Sequence, residues 1–265
     1  MRFEVLYPNG KTKALTFSYD DGEIHDRRLV EIFNRYGMKA TFHLNSGKFN
    51  TPGYIEESEV LSLYQGHEVA CHGVEHKYLG QLPKEQLVKE VWEDRKELER
   101  ITGRIVNGMS YAFGEYSDSI IDTIECLGIK YSRTVNSTHG FHIPDNFMRW
   151  NPTCHHSDDI VNRADQFLNS PDYMKLPLFY IWGHSFEFGR QNNWEIIEEF
   201  CQKVAGKEDI WYVTNIDYRN YVMAVRGLVL NTENSRVYNP SGLPIWLKCN
   251  NQTYEIEPGK TVDLA

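Results

Sequence analysis

Short apolar runs and amphipathic helical stretches take turns along the chain from residue 15 to residue 225, and few architectures accept that alternation. Residues 15–18 read as a buried strand. Residues 26–36 read as a helix with Leu29, Ile32, Phe33 and Tyr36 on one face and Gly37 suited to its C-terminal cap. Further strands are expected at 39–44, 68–71, 106–111, 131–135, 178–182 and 210–214. Further helices are expected at 57–65, 117–127, 158–168, 194–204 and 216–225, with another opening at Pro83 and closed by Gly103. Its stripe is Leu87, Val91, Leu98 and Ile101, while Ser117 is the N-cap of the helix after it. About seven β-α repeats imply parallel strands with right-handed crossovers. The fold class is therefore α/β, a distorted (β/α)7-type barrel over residues 1–226. After Gly227 the pattern changes to short strand candidates separated by Asn, Pro and Gly turns, which predicts a small β-rich appendage over residues 227–265.

A chain of 265 residues is long enough for one large α/β domain with such an appendage. The net charge of −9 argues against nucleic acid or an anionic membrane as a partner. No stretch approaches the roughly 18 apolar residues of a membrane-spanning helix. The first residues lack the apolar core of a signal peptide, so the expected location is the cytoplasm, unless a leader is missing from this chain. Cys71, Cys126, Cys154, Cys201 and Cys249 are odd in number and widely spaced, which argues against a disulfide framework. Nothing in the pattern reports the oligomeric state.

Chemistry-bearing residues fall where such a barrel places its active site, at the C-terminal strand ends. The first strand runs into Asp20-Asp21-Gly22, two carboxylates that repel unless something positive lies beside them. After the third strand comes His72-Gly73-Val74-Glu75-His76. One carboxylate and two histidines are a common ligand set for a divalent cation with an open position, and one aspartate is left over as a base. Phe113-Gly114 follows the fourth strand and His184 the sixth.

In these motifs the chain resembles the polysaccharide deacetylase family (carbohydrate esterase family 4, the NodB-homology fold). The family's Thr-Phe-Asp-Asp-Gly-type motif is matched by Thr16-Phe17-Ser18-Tyr19-Asp20-Asp21-Gly22. Its His-Ser/Thr-x-x-His motif is matched by residues 72–76, and its late Leu-x-His motif by Trp182-Gly183-His184. The resemblance covers roughly residues 10–225. It implies a metal-dependent hydrolase that removes acetyl groups from an N-acetylated or O-acetylated carbohydrate. Asp21, His72 and His76 would hold one divalent cation, most readily Zn²⁺, with Co²⁺, Ni²⁺ or Fe²⁺ also accepted. Asp20 would be the general base, His184 the general acid, and the Phe113 backbone N–H an oxyanion donor.

Two motifs depart from the family pattern. Its third, usually Arg-x-Pro-x-Gly, reads Ser110-Tyr111-Ala112-Phe113-Gly114, so the arginine that steadies the catalytic aspartate is absent. Its fourth, an Asp followed closely by Trp, has no match after the fifth strand. Arg133, one strand over, is expected to supply the missing guanidinium to Asp20.

The remaining candidates are softer. His155-His156 with Asp158-Asp159 has the look of a second metal cluster, although both aspartates also suit the first turn of a helix. His155, Trp150 and Glu187 are the candidate substrate contacts. Glu187 is equally placed to orient His184, and Phe141 and Trp182 are further stacking candidates. His25 is expected near the rim, and Asn45, at the end of the second strand, is expected to reach the cleft. The competing readings are a hydrolase of a non-sugar amide and a carbohydrate-binding protein that has lost turnover.

Overall fold

The structure is a computed structural model that describes residues 3–171 and 173–264. The chain begins with β1 (Phe3–Leu6) and then alternates. In order come β2 (Lys13–Asp21), α1 (Asp26–Tyr36), β3 (Ala40–Leu44), α2 (Val60–Leu63), β4 (Glu68–Cys71), α3 (Lys84–Thr102) and β5 (Gly108–Ser110). The alternation continues through α4 (Asp118–Cys126), β6 (Tyr131–Arg133), β7 (Cys154–His155), α5 (Ile160–Leu168), β8 (Leu178–His184), α6 (Ser185–Gln191), α7 (Glu195–Val204), β9 (Ile210–Tyr212) and α8 (Asn215–Arg226). The last strands are β10 (Val229–Leu230), β11 (Arg236–Tyr238), β12 (Ile245–Cys249), β13 (Gln252–Ile256) and β14 (Thr261–Asp263).

The parallel strands form one curled sheet in the order β6-β5-β4-β3-β2-β8-β7, with β9 paired to the N-terminal end of β2. Its edges are drawn together by residues 150–156. Trp150 exchanges hydrogen bonds with Ser132 and Thr134 beside β6, at 3.1 and 3.0 Å. Thr153 and His156 then donate to Tyr180 and Trp182 of β8, both at 2.8 Å. This is the expected distorted (β/α) barrel, and all seven expected strands are present. The stretch expected as loop up to residue 157 contains β7. Two residues bounded by Pro152 and a turn carry no periodicity to read. The helix expected over 57–65 shrinks to a 3₁₀ turn, Glu57–Glu59, followed by α2.

Period-two alternation along β2 separates two environments. Leu15, Phe17 and Tyr19 point under the helices, where Phe17 meets Phe33 at 4.5 Å between ring centroids and Phe200 at 5.8 Å. Thr16, Ser18 and Asp20 point the other way, and all three are buried among polar partners. A strand that buries apolar groups on one face and polar groups on the other is fixed in register, because a one-residue slip would exchange the two sets. That register sets Asp20 opposite His43 of β3 and His184 of β8.

The C-terminal segment forms two three-stranded antiparallel sheets, β10-β11-β14 and β1-β12-β13. The second contains β1, so the division expected at 226/227 cuts through a sheet: Phe3 to Leu6 pair with Cys249 to Trp246. Val237, Ile245, Leu247 and Ile256 share a core with Tyr7, Trp150, Tyr180 and Tyr218, which joins the appendage to the barrel. Among the described residues no helix is long and apolar enough to cross a membrane.

Candidate active site

Consecutive strand residues normally face opposite sides of a sheet. Asp20 and Asp21 nevertheless reach the same place, because Asp21 has a φ of 82° and Gly22 a φ of 70°, so the chain turns as β2 ends. Asp20 Oδ2 lies 3.7 Å from His72 Nε2, and Asp21 Oδ1 lies 3.5 Å from the same atom and 3.6 Å from His76 Nε2. His76 and Phe113 also have positive φ, 58° each. Non-glycine residues held in that region store of order 1–3 kcal/mol of strain apiece, and three of them surround this one cleft.

His72 follows β4, and its turn is fixed from α3. Asp94 Oδ2 accepts from His72 N and Gly73 N at 3.0 Å each, while its Oδ1 accepts from Ser46 N at 2.9 Å and Ser46 Oγ at 2.6 Å. Glu90 Oε1 accepts from Glu75 N at 2.7 Å. Sequence reasoning passed over both acids. Their signal is legible in retrospect: Glu90 and Asp94, four apart, lie within the apolar stripe of Leu87, Val91 and Leu98, and both are buried. Asn45, expected to reach the cleft, is buried and donates to the carbonyls of His72 and Gly73 at 2.9 and 2.7 Å. It steadies the histidine turn and does not reach the cleft.

The imidazole of His72 tests whether a cation fits. Ser110 Oγ donates its one proton to Asp20 Oδ1 at 3.0 Å. His72 Nδ1, 2.7 Å from that hydroxyl and 3.0 Å from the Ser110 carbonyl, must therefore be the donor to both. Nε2 is left bare, buried and without a hydrogen-bond partner, facing Asp21. Burial, opposed by the Asp20 charge, takes the His72 pKa down to about 3, so the ring is neutral. A neutral imidazole with Nδ1–H on a backbone carbonyl is the usual arrangement of a metal-binding histidine. The donor atoms of Asp21, His72 and His76 all lie within 4.8 Å of one another. These residues fit a divalent cation. Burial, opposed by His184 and reinforced by Asp20, raises the Asp21 pKa.

Arg133 reaches Asp20 from the end of β6. Its Nη2 donates to Asp20 Oδ2, its Nε to Ser18 Oγ at 2.9 Å and its Nη1 to the Thr134 carbonyl at 3.1 Å. The guanidinium lies 4.3 Å over the Trp182 ring and is fully buried. Burial alone would push the Asp20 carboxyl up; Arg133, aided by His72, His43 and His184, holds it well below the usual carboxylate range. Ser110 stands where the family motif has arginine, and it too holds Asp20 by hydrogen bond. His43, on the neighbouring strand, is buried, and that burial takes its pKa down to about 4.

His184 Nε2 lies 4.0 Å from Asp21 Oδ2, and its Nδ1 lies 2.7 Å from Glu187 Oε1. Burial works against the charged ring, but the Glu187 hydrogen bond and the Asp20 and Asp21 charges raise its pKa overall. Glu187 comes from the first turn of α6, a helix sequence reasoning missed because aromatic residues and glycine, as in Phe186, Phe188 and Gly189, are poor helix formers. Its Oε2 lies 3.4 Å from His155 Nε2 and 3.0 Å from His156 Nε2. Glu187 and His155, expected at the substrate, are thus engaged with each other. The aspartates once grouped with His155 go elsewhere: Asp158 caps His155 N at 3.1 Å, and Asp159 precedes α5 with a φ of 51°.

Trp150, expected to stack on a sugar, is corrected by the structure. It is 0% exposed, packed among Tyr131, Phe147, Tyr180 and Tyr218, because the hydrogen bonds of residues 150–156 turn it into the core. Phe141 is likewise buried, against Phe167 and Phe179. The rings that do meet solvent at the mouth are Phe113 and Tyr78, 49% and 44% exposed, stacked 3.6 Å apart and 6° from parallel. Phe113 also meets the His76 ring at 4.4 Å.

The fold has counterparts among known proteins. Residues 7–132 match the family model for polysaccharide deacetylase. A peptidoglycan-N-acetylmuramic acid deacetylase, PdaC of Bacillus subtilis (strain 168), is 26% identical over 100 residues, 38% of this chain and 21% of that protein. The chain thus spans about a fifth of that relative's length. Among solved structures, an allantoinase (Puue) superposes with a TM-score of 0.65 at 13% identity, covering 80% of this chain and 91% of the other. A family 4 acetyl xylan esterase from Clostridium thermocellum, solved with a cobalt ion, superposes at 0.54 and 14% identity, covering 77% and 89%. These two likenesses are of fold. In the matched segment, residues 7–132, and in the curled barrel it builds, the chain is similar to the polysaccharide deacetylase family.

Proposed function

We propose that the protein is a metal-dependent hydrolase that removes acetyl groups from a carbohydrate, with N-acetyl favoured over O-acetyl. The observation that carries this reading is the bare, buried Nε2 of His72 facing Asp21, with the ionised Asp20 alongside. Asp21, His72 and His76 would hold the cation. When bound, a divalent ion such as Zn²⁺ polarises a carbonyl and brings the pKa of a water from 15.7 toward about 7.

The rest falls to the chain's own groups. Asp20, pinned by Arg133 and Ser110, accepts the proton of the attacking water. The turn at Phe113 and Gly114 offers a backbone N–H to the oxyanion, a donor whose loss typically costs ~10²–10³ in rate. His184, its pKa raised, delivers a proton to the leaving nitrogen, worth about 10²–10⁴-fold. Amines leave badly unless protonated, so an acid so well supported favours an amide substrate. The stacked Tyr78 and Phe113 would bear a pyranose ring next to the acetyl group.

The test is acetate release from acetylated oligosaccharides by chelator-treated protein, before and after adding Zn²⁺. Release that depends on the metal and is lost in His72→Ala together with one equivalent of bound zinc supports the reading. Sugar binding without release would favour a carbohydrate-binding role, and release only from non-sugar amides would move the substrate class.

A further inference from the structure

Glu187 is the hub of a second cluster. Its carboxylate meets three imidazoles: His184 Nδ1 at 2.7 Å on Oε1, and His156 Nε2 at 3.0 Å and His155 Nε2 at 3.4 Å on Oε2. His155 ends β7, His184 ends β8 and Glu187 lies in the first turn of α6. The donor atoms of His155, His156 and Glu187 lie within 4.8 Å of one another, a spacing that suits a cation or a set of hydrogen bonds.

Proton positions decide between the two. A histidine binds metal through a bare nitrogen. His155 Nδ1 accepts from the Ser157 backbone N–H at 3.3 Å, so Nε2, the atom facing Glu187, is the nitrogen that carries a proton. His156 Nδ1 is buried with no partner, pressed where a Cβ on Gly183 would come within 2.1 Å. A proton on that nitrogen would be stranded, so it too belongs on Nε2. This is the reverse of His72, whose Nε2 is bare. His155 and His156 are therefore N–H donors to Glu187.

We propose that His155 and His156 are positioning residues for the proton donor: together they saturate Oε2 of Glu187 and leave Oε1 to hold His184 Nδ1–H. The proposal rests on the reading of His184 as general acid. With Oε2 occupied twice, the carboxylate cannot rotate, and its appetite for the His184 proton is reduced. His184 Nε2 is left facing Asp21 across 4.0 Å. As the C–N bond breaks, its electron pair passes to nitrogen, which takes the Nε2 proton. The ring is left neutral, with its Nδ1–H still on Glu187.

Leaving-group dependence tests this in the zinc-loaded protein. An N-acetylated oligosaccharide needs the proton, whereas p-nitrophenyl acetate expels a stable phenolate without one. In His156→Ala and Glu187→Gln, the ratio of amide to ester turnover should fall by about 30-fold or more. In His156→Gln, whose side-chain N–H can replace Nε2–H, most of that ratio should return. Imidazole ¹⁵N shifts provide a readout independent of turnover: His155 and His156 should both be Nε2–H tautomers. Equal losses on both substrates, an Nδ1–H tautomer at either ring, or a second equivalent of zinc that His156→Ala removes would each overturn the proposal. Wild-type protein that releases acetate from neither substrate would overturn the underlying hydrolase reading and this one with it. Release with an unchanged ratio would overturn this one alone.

Discussion

Arg133 and Asp20 form an ion pair inside the barrel, the guanidinium crossing from the end of β6 to the end of β2 with Trp182 stacked against it. Both partners are buried, and each is a full-charge counterweight to the other at contact distance. Removing one partner of a buried pair typically costs roughly 3–5 kcal/mol, because the survivor is left charged in a dry site. Arg133→Ala should lower the denaturant midpoint and reduce turnover by about 10²-fold through a misplaced Asp20. Arg133→Lys should fall between, since it keeps the charge and loses the fork that also holds Ser18 and Thr134. Turnover of the alanine variant within a few-fold of wild type, at saturating metal, would refute this role.

Asp94 makes no contact with the cleft, yet it holds both halves of the loop pair around it. Asp94→Ala would strand the backbone N–H groups of Ser46, His72 and Gly73 in a buried setting. Each stranded donor costs about 1–3 kcal/mol when nothing replaces the acceptor. Zinc affinity should drop by roughly 10–100-fold, the usual effect of removing a group that orients a ligand. Isothermal titration with zinc checks it, and unchanged affinity would show that the histidine turn holds without α3.

Glu68 gives a pH effect on stability that is separate from catalysis. Burial pushes its pKa up from 4.5 to about 7, against hydrogen bonds from Ile216 N, Thr41 and Tyr131. Between those values the folded chain keeps a proton that the unfolded chain releases, so this group's contribution to stability falls as pH rises through that window. Asp26, also raised to about 7 by burial, acts in the same direction. Glu68→Gln should therefore compare better with wild type at pH 8 than at pH 5 in urea unfolding. An identical difference at both pH values would count against it.

Tyr78 is the candidate platform for sugar. Tyr78→Ala should raise KM for an acetylated oligosaccharide by about fivefold while kcat stays within twofold, the scale of one lost ring contact. A small acetyl ester should show no such rise in KM. An equal change on both substrates would place the ring in the support of His76 through Phe113 and outside sugar recognition.

The barrel was legible because apolar runs and amphipathic helices carry their period in the residue order, and the two main motifs fall at strand ends that this period defines. The partnership of Arg133 with Asp20 could be anticipated from a gap in the third motif and a lone arginine on the next strand. What lay beyond reach depends on backbone turns. The φ of 82° at Asp21, which brings two adjacent carboxylates into one cleft, has no mark in the residue order. Nor does the path of residues 150–156, which buries Trp150 and carries His155 and His156 to Glu187. Aromatic residues look alike in sequence whether they line a groove or fill a core, so Trp150 and Phe141 were read as cleft residues, and Tyr78 was passed over.

The pairing of β1 with β12 has a consequence for how the molecule is made. Phe3 waits on the ribosome's output until Cys249 has emerged, so β1 finds its neighbour only after the barrel between them has been made. A nascent chain stalled anywhere before residue 245 carries β1 as an open ribbon edge, ready to pair with a stranger. β1 and β12 thus act as a clasp across the barrel, and this clasp closes only once residue 249 has been made.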